Sequence, residues 1–353
     1  PGLSYDKAIP GDKRLAKVVT IVKSRKFREQ HGKILLEGQR LITDALAAGA
    51  QLQTLFFSTV ESLKALPLDK LKRVQLIKVK FEEIKIWSDL VTPHGGMGIF
   101  RRPDHAKMKY PTVQQENTVP LSLICDNIRD PGNLGTILRS AVAAGCSKVL
   151  ITQGCVDVWE PKVLRAGMGA HFRIPVVSNL EWEAIPNYLS SSTVVYVADH
   201  AYLGAGSSGQ ADNMDASGWV STRQHEKQTE TEYEDSDSDG EERDLPLELP
   251  DVGSLRYHDN WAQDQTALVI GGETHGLSLD ALLLAGKTDG RRLYIPMSPS
   301  VDSLNSAMAA SILLFEGRRQ LLFRTAEAGR GGVRARAEPT VTSRCSQSAH
   351  QQR

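Results

Sequence analysis

Two apolar periods alternate along this chain. Residues 1–24 begin irregularly and then place Leu15, Val18, Val19 and Val22 on one face, which predicts a helix. From 31 to 102 short apolar runs at 34–37, 54–58, 74–79 and 98–101 read as strands. Between them, 39–48 reads as a helix ended by Gly49, and 81–90 as a short helix. Strands alternating with helices predict a small α/β sandwich. Residues 103–118 are polar, carry Pro103 and Pro111, and read as a linker.

A second α/β unit begins near 119. Residues 121–125 form a continuous apolar run that predicts a buried strand. Asp130-Pro131-Gly132-Asn133-Leu134-Gly135 follows and reads as a tight loop, because glycine permits backbone angles that other residues resist. Leu134, Ile137, Leu138, Ala141 and Val142 then recur at helical spacing up to Gly145, the natural stop. Further strands are predicted at 148–152, 194–199, 267–270 and 293–297, with a helix starting at Pro161 and stopping at Gly167. The strand at 267–270 runs into Gly271-Gly272-Glu273-Thr274-His275-Gly276-Leu277. The strand at 293–297 runs through a polar loop into Ser303-Leu304-Asn305-Ser306 and a helix of small and apolar residues. Ligands of such sheets sit outside the carboxyl ends of the strands, so these three loops are the candidate site.

Charge sharpens the picture. Lys+Arg and Asp+Glu both number 42, so the chain is not basic overall. The acid, however, is concentrated between Glu226 and Asp244, inside a Gly/Ser-rich and then acidic stretch at 202–262 that has too few apolar residues to order itself. That insert is expected to be disordered, as is the tail at 324–353. Lys13, Arg14, Lys17, Lys23, Arg25, Lys26 and Arg28 surround the first helix, either as a solvated face or as a contact for RNA phosphates. Cys125, Cys146, Cys155 and Cys345 show neither zinc spacing nor a disulfide framework, and read as reduced thiols. No ligand set calls for a metal, and no apolar run reaches the length of a membrane span. The chain starts at Pro1, so a signal or transit peptide would lie in a part that has been removed.

Taken together, Asn133 to Arg139, Gly271 to Leu277, and Ile295-Pro296-Met297 with Ser303 to Ser306 resemble, in order and spacing, the three motifs of the SpoU (TrmH-type) branch of the SPOUT RNA methyltransferases. The resemblance covers 119–323 apart from the insert. It implies an α/β, trefoil-knotted methyltransferase domain preceded by an L30e-like substrate-binding domain at 31–102. A knot would never be proposed from pattern alone. It implies S-adenosylmethionine as cofactor, held by Gly271, Gly272, Ile295, Met297 and Leu304. It implies catalytic roles for Arg139, Asn133, Glu273, Asn305 and Ser303, with Arg139 acting on the ribose 2′-hydroxyl and Glu273 orienting Arg139 or holding a loop. Since guanidinium is a poor base, Arg139 is expected to clamp the adjacent phosphate and polarise the hydroxyl. RNA contacts are expected at Lys33, Gln39, Arg40, His94, Gly95, Gly96 and Arg165, whereas His171 and Arg173 are expected to be structural and His275 a loop residue. The family pairs through helices beside the knot, which implies a homodimer joined in part by 306–322. The resemblance is strongest to members acting on guanosine of mitochondrial large-subunit ribosomal RNA, which implies a mitochondrial matrix protein that meets the assembling large subunit. A catalytically silent RNA-binding assembly factor and a transfer RNA 2′-O-methyltransferase remain open. A nucleotide-binding dehydrogenase fold does not, because Gly132-Asn133-Leu134-Gly135 lacks its Gly-x-Gly-x-x-Gly.

Overall fold

The computed structural model describes residues 4–83, 96–199, 220–221, 252–301 and 303–335. Its N-terminal part contains β1 (Asp6–Lys7), α1 (Lys13–Lys23), α2 (Arg25–His31), β2 (Lys33–Glu37), α3 (Gln39–Ala47), β3 (Leu52–Phe57), α4 (Val60–Lys64), β4 (Gln75–Lys78) and β5 (Met97–Arg101). The strands form one mixed sheet in the order β1-β4-β3-β5-β2. Leu15, Val18 and Ile21 of α1 pack on the face of this sheet that carries Leu35, Phe56, Ile77 and Ile99. Thus α1 belongs to the sandwich. Most of the helix expected at 81–90, with His94 and Gly95, lies outside the described residues. Gly96 is buried, and its carbonyl accepts from Gly38 N at 3.0 Å, so it is part of the packed sandwich rather than a flexible contact.

After a short helix α5 (Thr112–Glu116), the second unit runs β6 (Leu121–Asp126), α6 (Pro131–Ala143), β7 (Lys148–Thr152), α7 (Pro161–Gly167), β8 (Val176–Leu180) and β9 (Val194–Ala198). It continues with β10 (Val220–Ser221), β11 (Ser254–Arg256), β12 (Thr266–Gly271), β13 (Leu277–Ser278), α8 (Leu279–Lys287), β14 (Arg292–Tyr294) and α9 (Ser306–Ala335). Seven strands pair in parallel in the order β11-β14-β9-β12-β6-β7-β8. Both faces of the sheet are covered, which is why β6 reads as an unbroken apolar run. Leu121, Leu123 and Cys125 face the core beneath α6 and α9, while Ile124 faces the core beneath α8.

Three expectations change. The stretch 130–135 is not a loop: α6 starts at Pro131, because Asp130 Oδ1 accepts from Asn133 N at 2.7 Å and proline suits the first helical position. Gly135 instead lets α7 approach, since a Cβ there would lie 2.5 Å from the Ala166 Cβ and 2.6 Å from the Val163 carbonyl. The insert read as disordered over 202–262 is ordered from 252 onward: β11 adds to the sheet edge, and Val252, Trp261 and Ala262 are buried. Gln320 of α9 accepts from both Trp261 N and Ala262 N at 2.9 Å, tying that segment to the core. Finally, α9 runs beyond 323 to Ala335.

The two units meet at a buried seam. Arg28 of α2 donates to Asp157 Oδ2 at 2.7 Å, with both side chains about one-twentieth exposed. The basic set around α1 is therefore not a uniform RNA-facing surface. Arg28 is an interior ion pair, Arg14 binds Asp6 and Asp12, and Arg25 binds Glu29.

Candidate active site

The carboxyl ends of β6 and β12 lie side by side, with Asp126 opposite Gly271 in the ladder. The loops leaving them are pinned together by Asp126. Its carbonyl accepts from Gly272 N at 3.0 Å, its Oδ2 from Ser278 N at 2.6 Å and its Oδ1 from Thr152 Oγ1 at 3.3 Å. Burial raises the pKa of this carboxyl, while the bonds from Ser278 and Thr152 oppose the rise. The sequence reading missed Asp126, although an acidic residue ending an apolar strand is a visible signal.

Above this floor the three motifs converge on one oxygen. Glu273 Oε1 accepts from Asn305 Nδ2 at 2.7 Å, Ser306 N at 2.9 Å and Asn133 Nδ2 at 3.1 Å. Asn305 Nδ2 also donates to Asn133 Oδ1 at 2.9 Å, and Asn305 Oδ1 accepts from Ala307 N at 3.0 Å, closing the first turn of α9. A carboxylate accepts only, so three donors on one oxygen form a consistent set. It also sits at the amino end of α9, where the helix dipole favours negative charge. Of the two roles expected for Glu273, the structure shows loop holding: its bonds go to Asn133, Asn305 and Ser306, and none of them to Arg139.

Beside this junction opens a cleft. Gly271, Gly272, Glu273, Ile295, Met297, Ser303 and Leu304, all read from the sequence, line it. Asp199, at the end of β9 and ion-paired with Arg292, and Leu313 of α9 line it too, and were not foreseen. The strand-end rule that located the other loops also points to Asp199. Apolar walls from Ile295, Leu304 and Leu313, backbone groups of the glycine turn, and carboxylates for a cationic ligand make a donor set that fits S-adenosylmethionine. Glycine at 272 is demanded by the protein itself, since a Cβ would lie 2.0 Å from the Asn127 carbonyl oxygen.

Arg139 does not reach back toward Asn133. Six residues along α6 turn it through roughly 240° from Asn133. It is exposed, it is not among the lining residues of the cleft, and its Nη1 donates to Met168 Sδ at 3.0 Å. The RNA-contact candidates are spread more widely still. Lys33 is half-buried at the start of β2, Gln39 and Arg40 are exposed in the first turn of α3, and Gln39 donates to the Ala65 carbonyl. Arg165, half-buried in the last turn of α7, lines a small seam cleft with Val22, Leu35 and Glu37. His171 is structural as expected. It is buried against Trp159, its Nε2 bonds the Val158 carbonyl at 2.8 Å, and burial depresses its pKa to about 4. Arg173 binds Asp44 of α3, and Cys125, Cys146 and Cys155 are buried free thiols. Among the described residues no His/Cys/Asp/Glu group is arranged to hold a metal, and no helix is long and apolar enough to cross a membrane.

The geometry agrees with what known proteins show. Residues 120–208 and 207–315 match the SpoU rRNA Methylase family, and 15–98 match the MRM3-like substrate binding domain. The chain is 61% identical over 329 residues to the Homo sapiens protein named rRNA methyltransferase 3, mitochondrial, covering 93% of this chain and 77% of that one. It is 60% identical over 319 residues to the Xenopus tropicalis protein of the same name, covering 90% and 77%. A crystal structure of an AdoMet-bound rRNA methyltransferase from Sinorhizobium meliloti superposes with a TM-score of 0.62 at 23% identity, covering 90% of this chain and 98% of that one.

Proposed function

The chain belongs to the SpoU rRNA methylase family, and from that premise we infer that it is a mitochondrial S-adenosylmethionine-dependent methyltransferase that modifies a ribose 2′-hydroxyl of ribosomal RNA. The observation that carries this reading is the convergence of three sequence-distant motifs on Glu273 Oε1 at the mouth of a cleft suited to the cofactor. When bound, S-adenosylmethionine supplies the methyl group as a sulfonium. Gly271, Gly272, Ile295, Met297 and Leu304 would hold it. The Asn133–Glu273–Asn305 junction fixes the loops around it, so that cofactor and hydroxyl meet in a set geometry.

The finer substrate follows the resemblance: guanosine in the large-subunit ribosomal RNA of mitochondria, met as the subunit assembles. Residues 31–102 serve RNA capture, with Lys33, Arg40 and Arg165 as phosphate contacts. Arg139 clamps the phosphate next to the target ribose and polarises its hydroxyl, because a guanidinium binds phosphate in bidentate fashion and stays charged. In a single chain Arg139 lies outside the cleft, while α9 exposes Met308, Ile312, Phe315, Leu322 and Phe323. Both facts support a homodimer in which α9 is covered and Arg139 of one protomer serves the cleft of the other. The knotted threading of the carboxyl-terminal loops follows the same resemblance.

The test is methyl transfer from labelled S-adenosylmethionine to mitochondrial RNA, comparing the native protein with Arg139→Ala. Label mapped to a 2′-hydroxyl of large ribosomal RNA, with the native protein only, is the expected result. Absence of label on any RNA, precursors included, favours the non-catalytic assembly factor. Label confined to transfer RNA overturns the ribosomal substrate.

A further inference from the structure

We propose that Met168 is a positioning residue for Arg139, holding its guanidinium in the direction from which it acts. The proposal rests on the role given to Arg139 above. Met168 caps α7 at φ 45°, ψ 45°, in the left-handed region that a residue with a side chain rarely occupies. It stands between Gly167 and Gly169, so glycine would be the unstrained choice there. The chain instead carries a long, unbranched thioether at this strained point, leaves it 47% exposed, and places its sulfur 3.0 Å from Arg139 Nη1. A strained backbone that presents an exposed apolar side chain to a cation gains nothing for the core, so its purpose lies in the contact.

The loop that carries Met168 is held from both sides. A Cβ on Gly167 would lie 3.0 Å from the buried His171 ring, and one on Gly169 would lie 2.7 Å from Asp44 Oδ2. Asp44 belongs to α3 of the N-terminal unit and is itself bound by Arg173 at 3.5 Å. The backbone that carries Met168 is therefore packed against both units of the molecule. The choice of a thioether is chemically apt. It is a weak, polarisable acceptor that restrains a guanidinium without neutralising it. A carboxylate at this place would bind the arginine more tightly, and would compete with the RNA phosphate for it.

The experiment compares native protein with Met168→Gly, Met168→Leu and Arg139→Ala, alone and combined, in steady-state methyl transfer with RNA and S-adenosylmethionine varied separately. We expect Met168→Gly to lower kcat about ten- to a hundred-fold, the penalty for an ångström-scale misplacement of a reacting group. KM for S-adenosylmethionine should stay within about two-fold, and the thermal midpoint should hold or rise because the backbone strain is relieved. A merely structural residue would move stability and activity down together. Met168→Leu, which keeps an apolar side chain of similar volume without the sulfur, should recover part of kcat, and Met168→Gly should add nothing in the Arg139→Ala background. Native kcat in Met168→Gly, with Arg139→Ala inactive, overturns the proposal and leaves the role of Arg139 standing. Full activity in Arg139→Ala overturns both.

Discussion

The buried pair Arg28–Asp157 gives the sharpest energetic prediction. Arg28 Nε donates to Asp157 Oδ2 at 2.7 Å, while its Nη1 donates to the carbonyls of Ile21 at 2.8 Å and Val22 at 3.0 Å. Asp157 Oδ1 in turn accepts from Trp159 N at 3.1 Å. One guanidinium thus ties the end of α1 and all of α2 to the loop before α7. The side chains are 4% and 5% exposed, so solvent screening is slight. Two unit charges about 4 Å apart attract by about 4 kcal/mol at an effective dielectric near 20. Removing one partner strands the other, at a cost of about 3–5 kcal/mol. Asp157→Asn is the clean perturbation, because the amide oxygen can still accept from Trp159 while the charge is gone. At about 2–4 °C per kcal/mol for a unit of this size, the thermal midpoint should fall by roughly 10 °C. Arg28→Met combined with Asp157→Asn should recover most of that loss, since neither charge is then stranded. The assay is a double-mutant cycle followed by thermal and urea unfolding. A loss below about 1 kcal/mol in Asp157→Asn, or a double variant no better than the worse single one, refutes the argument that a desolvated pair closes the seam.

Three further outcomes follow from the site. Glu273→Gln keeps an acceptor for Asn133, Asn305 and Ser306 N and should retain most cofactor affinity, whereas Glu273→Ala removes three bonds worth together about 1.5 kcal/mol at the lower end of their usual range and should weaken binding about ten-fold by titration calorimetry. Equal damage from both variants would show that the charge, rather than the acceptor, matters. Gly272→Ala drives a Cβ to 2.0 Å from backbone oxygen and should cost about 1–3 kcal/mol and disrupt cofactor binding, checked by the same titration; native affinity would contradict it. His171 is held neutral with its pKa near 4 against 6.5 unfolded, so the unfolded state binds the extra proton between those values and stability falls as pH drops through that window. From pH 7 to pH 5 this group should account for about 2 kcal/mol of lost unfolding free energy, and in His171→Gln the unfolding free energy from urea titrations should depend correspondingly less on pH.

The strands that carry the site were legible because a parallel sheet covered on both faces demands unbroken apolar runs, and the loops at their carboxyl ends then mark the ligand. That logic located the loops, and the family resemblance named Glu273, Ile295, Met297, Ser303 and Leu304 within them, all of which line one cleft. It misread residues 130–135, because proline and glycine punctuate loops and also serve helix starts and close helix packing. Only the Asp130 cap and the approach of Ala166 to Gly135 separate the two cases. It also misjudged residues 252–262, whose few apolar members look insufficient until Trp261 is seen seated against α9 and bonded to Gln320. Arg28 was counted with the exposed basic residues, since nothing local to it reveals an aspartate 129 positions away.

What the sequence could not convey is that the residues of one motif face different ways. Asn133 and Arg139 lie on one helix, yet Asn133 is bound into the Glu273 junction and Arg139 is bound to Met168 on another flank. Proximity in sequence suggested that Arg139 reaches back toward Asn133. Helical rotation separates them. On the reading proposed above, a cleft suited to the cofactor but without the arginine, on a molecule whose last helix exposes Met308, Ile312 and Phe315, is half of a site. If a second copy completes it, α9 has two tasks: its amino end closes the cofactor junction through Asn305 and Ser306, and its exposed stripe recruits the arginine. Substitutions on that stripe should then reduce methyl transfer while leaving cofactor affinity in place, whereas Glu273→Ala should lower that affinity as well.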